Sequence, residues 1–322
     1  MEIRNIKGTG LAVSRLCLGT MTFGGQTDAA EAGRIIDAAV DRGVNFFDTA
    51  NIYTGGESER ILGKALQGRR DRLVVATKAG GPTFRGPNGA GLGRVNILRS
   101  LEESLKRLGT DYVDLYYLHF PDHATPAEEL VETMTDLVRS GKVRYWGVSN
   151  FAAWELCELV CLAKAAGGVA PVVTQSVYNP LTRGIEDELL PLLRARKIGL
   201  TVFNPLAGGL LTGKHCRDKA AEGSRMATDR GYAHRYWNER NFDAIDTLTA
   251  AAEELGISLV ELCFRWHLGN PCVDAVISGV SSLAQFEENA GYFDTEPLPA
   301  ETLAACDAAW ASLKGAWFNY HR

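Results

Sequence analysis

The chain has 322 residues, 46% apolar and 23% charged, with a net charge of −5. That length holds one large α/β domain or two small ones, and the charge offers no basic field for nucleic acid or an anionic membrane surface. The opening MEIRNIKGTG lacks a signal-peptide core, no apolar run approaches a membrane span, and the seven cysteines include no C-x-x-C, so a cytoplasmic protein with reduced thiols is expected.

In chain order, residues 2–13 read as a hairpin around Gly8-Thr9-Gly10, placed across the bottom of the fold. SRLCLGT (14–20) is the first strand of the main sheet. Asp28, with Glu31 three residues on, caps a helix that ends before Gly43. VNFFDTA (44–50) and LVVATKA (73–79) follow as strands. Leu98, Leu101, Leu105 and Leu108 share one helical face, and Gly109 stops that helix. After DLYYLHF (114–120), Thr125-Pro126-Ala127-Glu128 reads as a capping box with proline at the first helical position, and Gly141 ends that helix. RYWGVSN (144–150) comes next, and Cys157 and Cys161 behind it read as small core residues. VVTQSVYN (172–179) precedes ELLPLLRAR, where Pro191 requires a helix that starts late or kinks. GLTVFNP (199–205), a long loop over 206–241, DAVISGV (274–280) and a tail over 291–322 complete the chain.

The eight strands are near-continuously apolar, as parallel strands covered on both faces are. Eight alternating βα units predict an α/β fold, a closed (β/α)8 TIM barrel with an N-terminal β-hairpin and long loops at its C-terminal face. No break in composition marks a second domain, so residues 1–322 read as one. Gly8-Thr9-Gly10 starts like a dinucleotide-binding G-x-G-x-x-G, but it lacks the third glycine and opens no helix.

In such barrels chemistry gathers at the C-terminal ends of the strands. Here the second strand ends at Asp48, the third at Lys78 and the fourth at His119, and Tyr53 follows Asp48 by five residues. Singly, these are a turn carboxylate, a solvated ammonium and a core imidazole. Together, on adjacent strands, they form a proton relay. A phenol of pKa near ~10 donates poorly at neutral pH unless its anion is stabilised. A lysine ammonium supplies that, an aspartate keeps the lysine charged and in place, and a histidine orients a carbonyl oxygen. Tyr53 is then the general acid in reduction of an aldehyde or ketone, a reaction that needs a hydride carrier.

FFDTANIYTGGESE, VVATKAG and YYLHFPDH together resemble the aldo-keto reductases, whose catalytic tetrad Asp48, Tyr53, Lys78 and His119 match in order and context. YLHFPDHATPAEEL, NPLAGGLLTGK, RYWNERNFDAI and the terminal NYHR resemble the aflatoxin-aldehyde and succinic semialdehyde reductase group in particular. The resemblance implies a nicotinamide cofactor, NADPH by preference. Ser149, Asn150 and Gln175 would hold its carboxamide, Phe203 would stack on the nicotinamide, and Gly19, Thr20 and Met21 would line the same pocket. Asn204, Pro205, Leu206, Ala207, Gly208, Leu210, Gly213 and Lys214 form a Gly-rich segment suited to a pyrophosphate. Gly279, Ser281 and Gln285 would serve the ribose phosphate without any Lys or Arg in their loop. Glu288 and Asn289 would contact adenine, and Arg225 would reach the adenosine end. Tyr232, Arg235 and Arg322, with His119, would face the substrate, and two guanidinium groups favour an aldehyde that carries a carboxylate. The group also implies a homodimer.

Two rivals differ in class. Some barrels of this superfamily serve as cofactor-holding β-subunits of potassium channels; the HRYW loop and the tail match enzymes instead. A metal-dependent hydrolase would use a His-x-His, which the chain lacks.

Overall fold

The computed structural model describes residues 1–315. β1 (Ile3–Asn5) and β2 (Ala12–Ser14) form an antiparallel hairpin. The chain continues through β3 (Leu16–Gly19), α1 (Ala29–Asp41), β4 (Phe46–Asp48), α2 (Glu57–Ala65), β5 (Val74–Ala79), α3 (Arg94–Leu108), β6 (Val113–Leu118), α4 (Ala127–Arg139), β7 (Val143–Ser149), α5 (Ala153–Ala165), β8 (Val173–Val177), α6 (Leu189–Arg196) and β9 (Gly199–Phe203). It ends with α7 (Arg225–Thr228), α8 (Arg230–Tyr236), α9 (Glu239–Glu254), α10 (Leu259–Leu268), β10 (Ala275–Gly279), α11 (Leu283–Gly291) and α12 (Ala300–Lys314). β3 to β10 close into one parallel barrel. No helix among the described residues is long and apolar enough to cross a membrane.

Contacts divide the chain into two compact units. The first comprises Met1–Ser176, Glu186–Phe203 and Cys272–Ala290. Its core holds the inward-facing Cys17, Phe46, Ala76, Leu115, Tyr117, Val173 and Ile277, with Ile6 and Val13 of the hairpin packed in from the strand starts. The hairpin is tied there by Lys7 N–H donating to Asp274, itself bonded by the Leu200 N–H. The second unit comprises Val177–Ile185, Asn204–Pro271 and Gly291–Arg322. Within it α9 packs on α12. Arg217 is pinned to one face of α9 by Glu239 and Asp243, both at 2.9 Å, and by Asp246.

The local readings mostly hold, with instructive exceptions. Asp28 caps α1, and Gly109 ends α3 in the left-handed region. Glu31, however, does not bond back to the Asp28 N–H: one carboxylate oxygen accepts from the N–H of Leu283 at 2.7 Å and the other pairs with Arg34. The capping box at Thr125 does not form. Pro126 is itself the N-cap, with ψ 139, and the Thr125 hydroxyl donates to Asp122 at 2.9 Å. Pro191 lies in the first turn of α6, where its missing N–H costs nothing. Cys161 is exposed and Cys157 half-buried, because Leu156, Leu159 and Ala163 take the buried face of α5. Residues 206–241, read as a loop, contain a 3-10 segment (Ala207–Thr212), α7 and α8, the two helices capped by Ser224 and Asp229.

Candidate active site

Side chains alternate along a strand, so the position two residues beyond an inward-facing core residue also faces inward. From Cys17, Phe46, Ala76, Tyr117, Val173 and Ile277, two steps lead to Gly19, Asp48, Lys78, His119, Gln175 and Gly279. The pairing register agrees: Gly19 lies opposite Asp48 and Gly279, Lys78 opposite Tyr117, and Ser149 opposite Gln175. The strand-end candidates therefore form one layer, directly above the packed core of the first unit.

Within that layer Lys78 is fully buried, with its Nζ 2.6 Å from Asp48 Oδ1, 2.7 Å from the Thr49 carbonyl and 3.2 Å from the Tyr53 hydroxyl. Burial opposes the lysine's charge, but the Asp48 carboxylate and the Tyr53 oxygen outweigh it and hold the ammonium above its ordinary range. Tyr53 stands in a 3-10 turn (Tyr53–Gly56), its ring edge-on to the His119 ring at 5.9 Å. Burial, and then the Lys78 charge, push the His119 imidazole down to about 3, so it is neutral at working pH. Its buried Nδ1 has no partner among the described residues.

The remaining first-unit candidates differ in how they are engaged. Thr20 is buried, its hydroxyl spent on the Asp48 carbonyl (3.0 Å) and Ser58 (2.7 Å), while Met21 is exposed. Asn150, at φ 63, donates to the His119 carbonyl and to Ser149 Oγ, both at 3.1 Å. Gln175 is buried and its amide nitrogen donates to Asp48 Oδ2 at 2.8 Å. Phe203 packs half-buried on the barrel core. After β10, Ser281 N–H and hydroxyl both bond Gln285, at 2.9 and 3.0 Å. Asn289 is buried with its amide on Ser278 Oγ at 3.1 Å, and Glu288 is exposed. Gly19 and Gly279 are register partners: a Cβ on Gly19 would meet the Ile277 side chain at 2.8 Å, whereas one on Gly279 would meet nothing within 4 Å.

In the second unit, Asn204 (φ 60), Ala207, Gly208, Gly209 and Gly213 all adopt positive φ, so residues 204–214 coil tightly. Asn204 anchors the coil, accepting from Gly208 N–H and donating to the Tyr236 hydroxyl at 2.8 Å. Pro205, Ala207 and Leu210 are buried, Leu206 is half-buried, and Lys214 is exposed. Tyr232 packs against Gly208, where a Cβ would stand 2.5 Å from its ring. The guanidinium groups of Arg225 and Arg235 both lie over the Tyr232 ring, at 4.9 and 5.2 Å. The structure thus joins two arginines that the sequence assigns to different ends of a ligand. Arg322 lies outside the described residues.

Sequence reasoning missed Thr49, Ser58 and Tyr117. Ser58 ties Thr20 to Thr49 (2.9 Å to the latter), which steadies the carbonyl that binds Lys78. The run T-A-N-I-Y-T-G-G-E-S-E held the signal: a buried serine facing strand-end threonines. Glu59 of the same run is buried too, bonding Thr77 and Arg107, both at 2.6 Å.

The Aldo/keto reductase family model matches residues 15–311. A protein named probable voltage-gated potassium channel subunit beta, from Oryza sativa subsp. japonica, is 40% identical over 92% of this chain and 93% of its own. An uncharacterised oxidoreductase of Bacillus subtilis is 41% identical over 89% of this chain and 90% of its own. Aflatoxin B1 aldehyde reductase member 2 of Homo sapiens is 38% identical over 95% of this chain and 89% of its own. With the family model spanning nearly all of the barrel and relatives of this identity along almost the whole length, the chain belongs to the aldo/keto reductase family.

Proposed function

We propose that the protein reduces aldehydes to alcohols with NADPH, with Tyr53 as general acid. The observation that carries this reading is the buried Lys78 ammonium between Asp48 Oδ1 at 2.6 Å and the Tyr53 hydroxyl at 3.2 Å. As a carbonyl carbon becomes tetrahedral, its oxygen takes the Tyr53 proton, and the Lys78 charge stabilises the phenolate left behind. Asp48 keeps Lys78 charged inside the barrel. Neutral His119 orients the carbonyl oxygen. A bound reduced nicotinamide supplies the hydride. Ser149, Asn150 and Gln175 would hold its carboxamide, Phe203 its ring, and residues 204–214 with Arg225 its phosphate-rich end. Ser281, Gln285, Glu288 and Asn289 are assigned to the adenosine by resemblance, with no basic residue in 278–290 for a 2′-phosphate. The same resemblance supports a homodimer, and seven scattered cysteines without a C-x-x-C support a cytoplasmic location.

Arg235 and Arg322, with Tyr232, favour aldehydes bearing a carboxylate, succinic semialdehyde first and dicarbonyls second. The test is steady-state loss of nicotinamide absorbance with succinic semialdehyde and with a neutral aldehyde of equal length, using NADPH and NADH. Faster turnover of the acid aldehyde with NADPH is expected; faster turnover with NADH refutes the cofactor preference. The rice relative supports a second reading, a cofactor-holding partner subunit. Tight cofactor binding with no turnover across an aldehyde panel would put that reading ahead.

A further inference from the structure

We infer that Gln175 is a positioning residue of the proton relay, fixing the Asp48 carboxylate so that Lys78 stays in reach of Tyr53. The inference rests on the reading of Tyr53 as proton donor and adds to the carboxamide role that resemblance gives Gln175.

The geometry carries it. Asp48 is buried and has two carboxylate oxygens with different partners: Oδ1 meets Lys78 at 2.6 Å, and Oδ2 meets the Gln175 amide nitrogen at 2.8 Å. A carboxylate accepts only, so the amide must turn its NH2 toward Asp48. The Tyr117 hydroxyl, whose pKa the Gln175 side chain helps to lower against burial, lies 3.3 Å from Thr201 Oγ1. Gly147 makes room for this, since a Cβ there would stand 2.9 Å from the Tyr117 ring. Asp48, on β4, is thus braced from β8, four strands away around the barrel.

Among the described residues, four titratable groups bear on Asp48 and Tyr53. Lys78 on β5 is charged. Cys17 on β3 and Tyr117 on β6 are kept neutral by burial, each with the Asp48 charge adding to the effect. His119, after β6, is neutral above about 3. Tyr53, bonded to Lys78 Nζ, is then the group whose ionisation reports on the relay. Without the Gln175 bond, the carboxylate rotates and both oxygens draw Lys78 away from the phenol. The Tyr53 anion loses its stabilising charge, and the phenol ionises at higher pH.

The experiment is an ultraviolet titration of the full chain without cofactor, following phenolate absorbance. Subtracting the Tyr53→Phe protein isolates Tyr53, and the same pair is prepared with Gln175→Met. An upward movement of the midpoint by roughly half a unit or more supports positioning. An unchanged midpoint overturns it, because a residue that only binds carboxamide has nothing to bind in this sample. Kinetics provide a second readout. Positioning lowers kcat on the order of tenfold and moves the alkaline limb of reduction upward, whereas a carboxamide role alone raises the cofactor Kd with the pH profile unmoved. If Gln175→Met does not fold, Tyr117→Phe, which loosens the amide from the far side, takes its place. A smaller upward movement is expected there, and none would overturn the inference. Should the wild-type chain reduce no carbonyl, the proton-donor reading fails by itself, and the titration still decides whether Gln175 governs Tyr53.

Discussion

The strand-end layer of the first unit and the 204–236 segment of the second place their polar side chains by different means. In the layer, strand register and the two-residue alternation deliver Asp48, Lys78 and Gln175 to one face, and burial makes each contact strong. In the segment, no ladder sets position. Asn204 ties a coil of positive-φ residues, and Tyr232 finds its place because Gly208 has no side chain. Backbone periodicity therefore builds the chemistry, while side-chain packing builds the surface over which Arg225 and Arg235 lie.

Four substitutions or conditions sharpen that contrast. The largest effect is expected for Lys78→Met. It leaves the Asp48 charge buried without its partner, a loss of about 3–5 kcal/mol by the behaviour of broken buried pairs, and it removes carbonyl reduction; equilibrium unfolding and turnover check both. Next is pH. His119 resists protonation down to about 3 in the folded chain but takes a proton near 6.5 once unfolded. The unfolded state therefore binds more protons between those values, so stability is full above 6.5 and falls as pH drops toward 3, by at most about 1.4 kcal/mol per unit for this one group. His119→Gln should flatten that slope in thermal unfolding.

Gly208→Ala comes third. A Cβ at φ 68, 2.5 Å from the Tyr232 ring, costs roughly 1–3 kcal/mol and displaces the ring under both arginines. Denaturant unfolding measures the first and tyrosine fluorescence the second. Arg235→Ala has the smallest effect. It should lower kcat/KM for succinic semialdehyde roughly tenfold more than for a neutral aldehyde; equal losses would remove Arg235 from substrate recognition.

The same contrast explains what could be read from the chain. The barrel, and the strand ends that bring Asp48, Lys78 and His119 to one region, were legible because apolar runs have a fixed period and end in chemically distinctive residues: FFD, ATK and YLH. The hairpin and the caps at Asp28 and Gly109 were legible from short-range turn chemistry. Bonds across the chain were not. Nothing near Glu31 shows that the Leu283 N–H reaches its carboxylate. Gln175 bonds Asp48 across 127 positions, a distance over which no local pattern speaks. Cys161 misled because α5 is apolar around most of its circumference, so spacing alone could not say which face is buried. α7 and α8 escaped notice since each is too short for a periodic signal, although Ser224 and Asp229 are ordinary N-cap residues.

The central claim is that Tyr53 gives its proton to a carbonyl oxygen. Its most direct test is a single turnover of NADPH-loaded protein mixed with succinic semialdehyde, followed by nicotinamide absorbance, in the wild-type chain and in Tyr53→Phe. Rapid bleaching in the wild type, slowed by about 10²–10⁴-fold in a variant that still binds NADPH, is the predicted result. Equal bleaching in both proteins would contradict it.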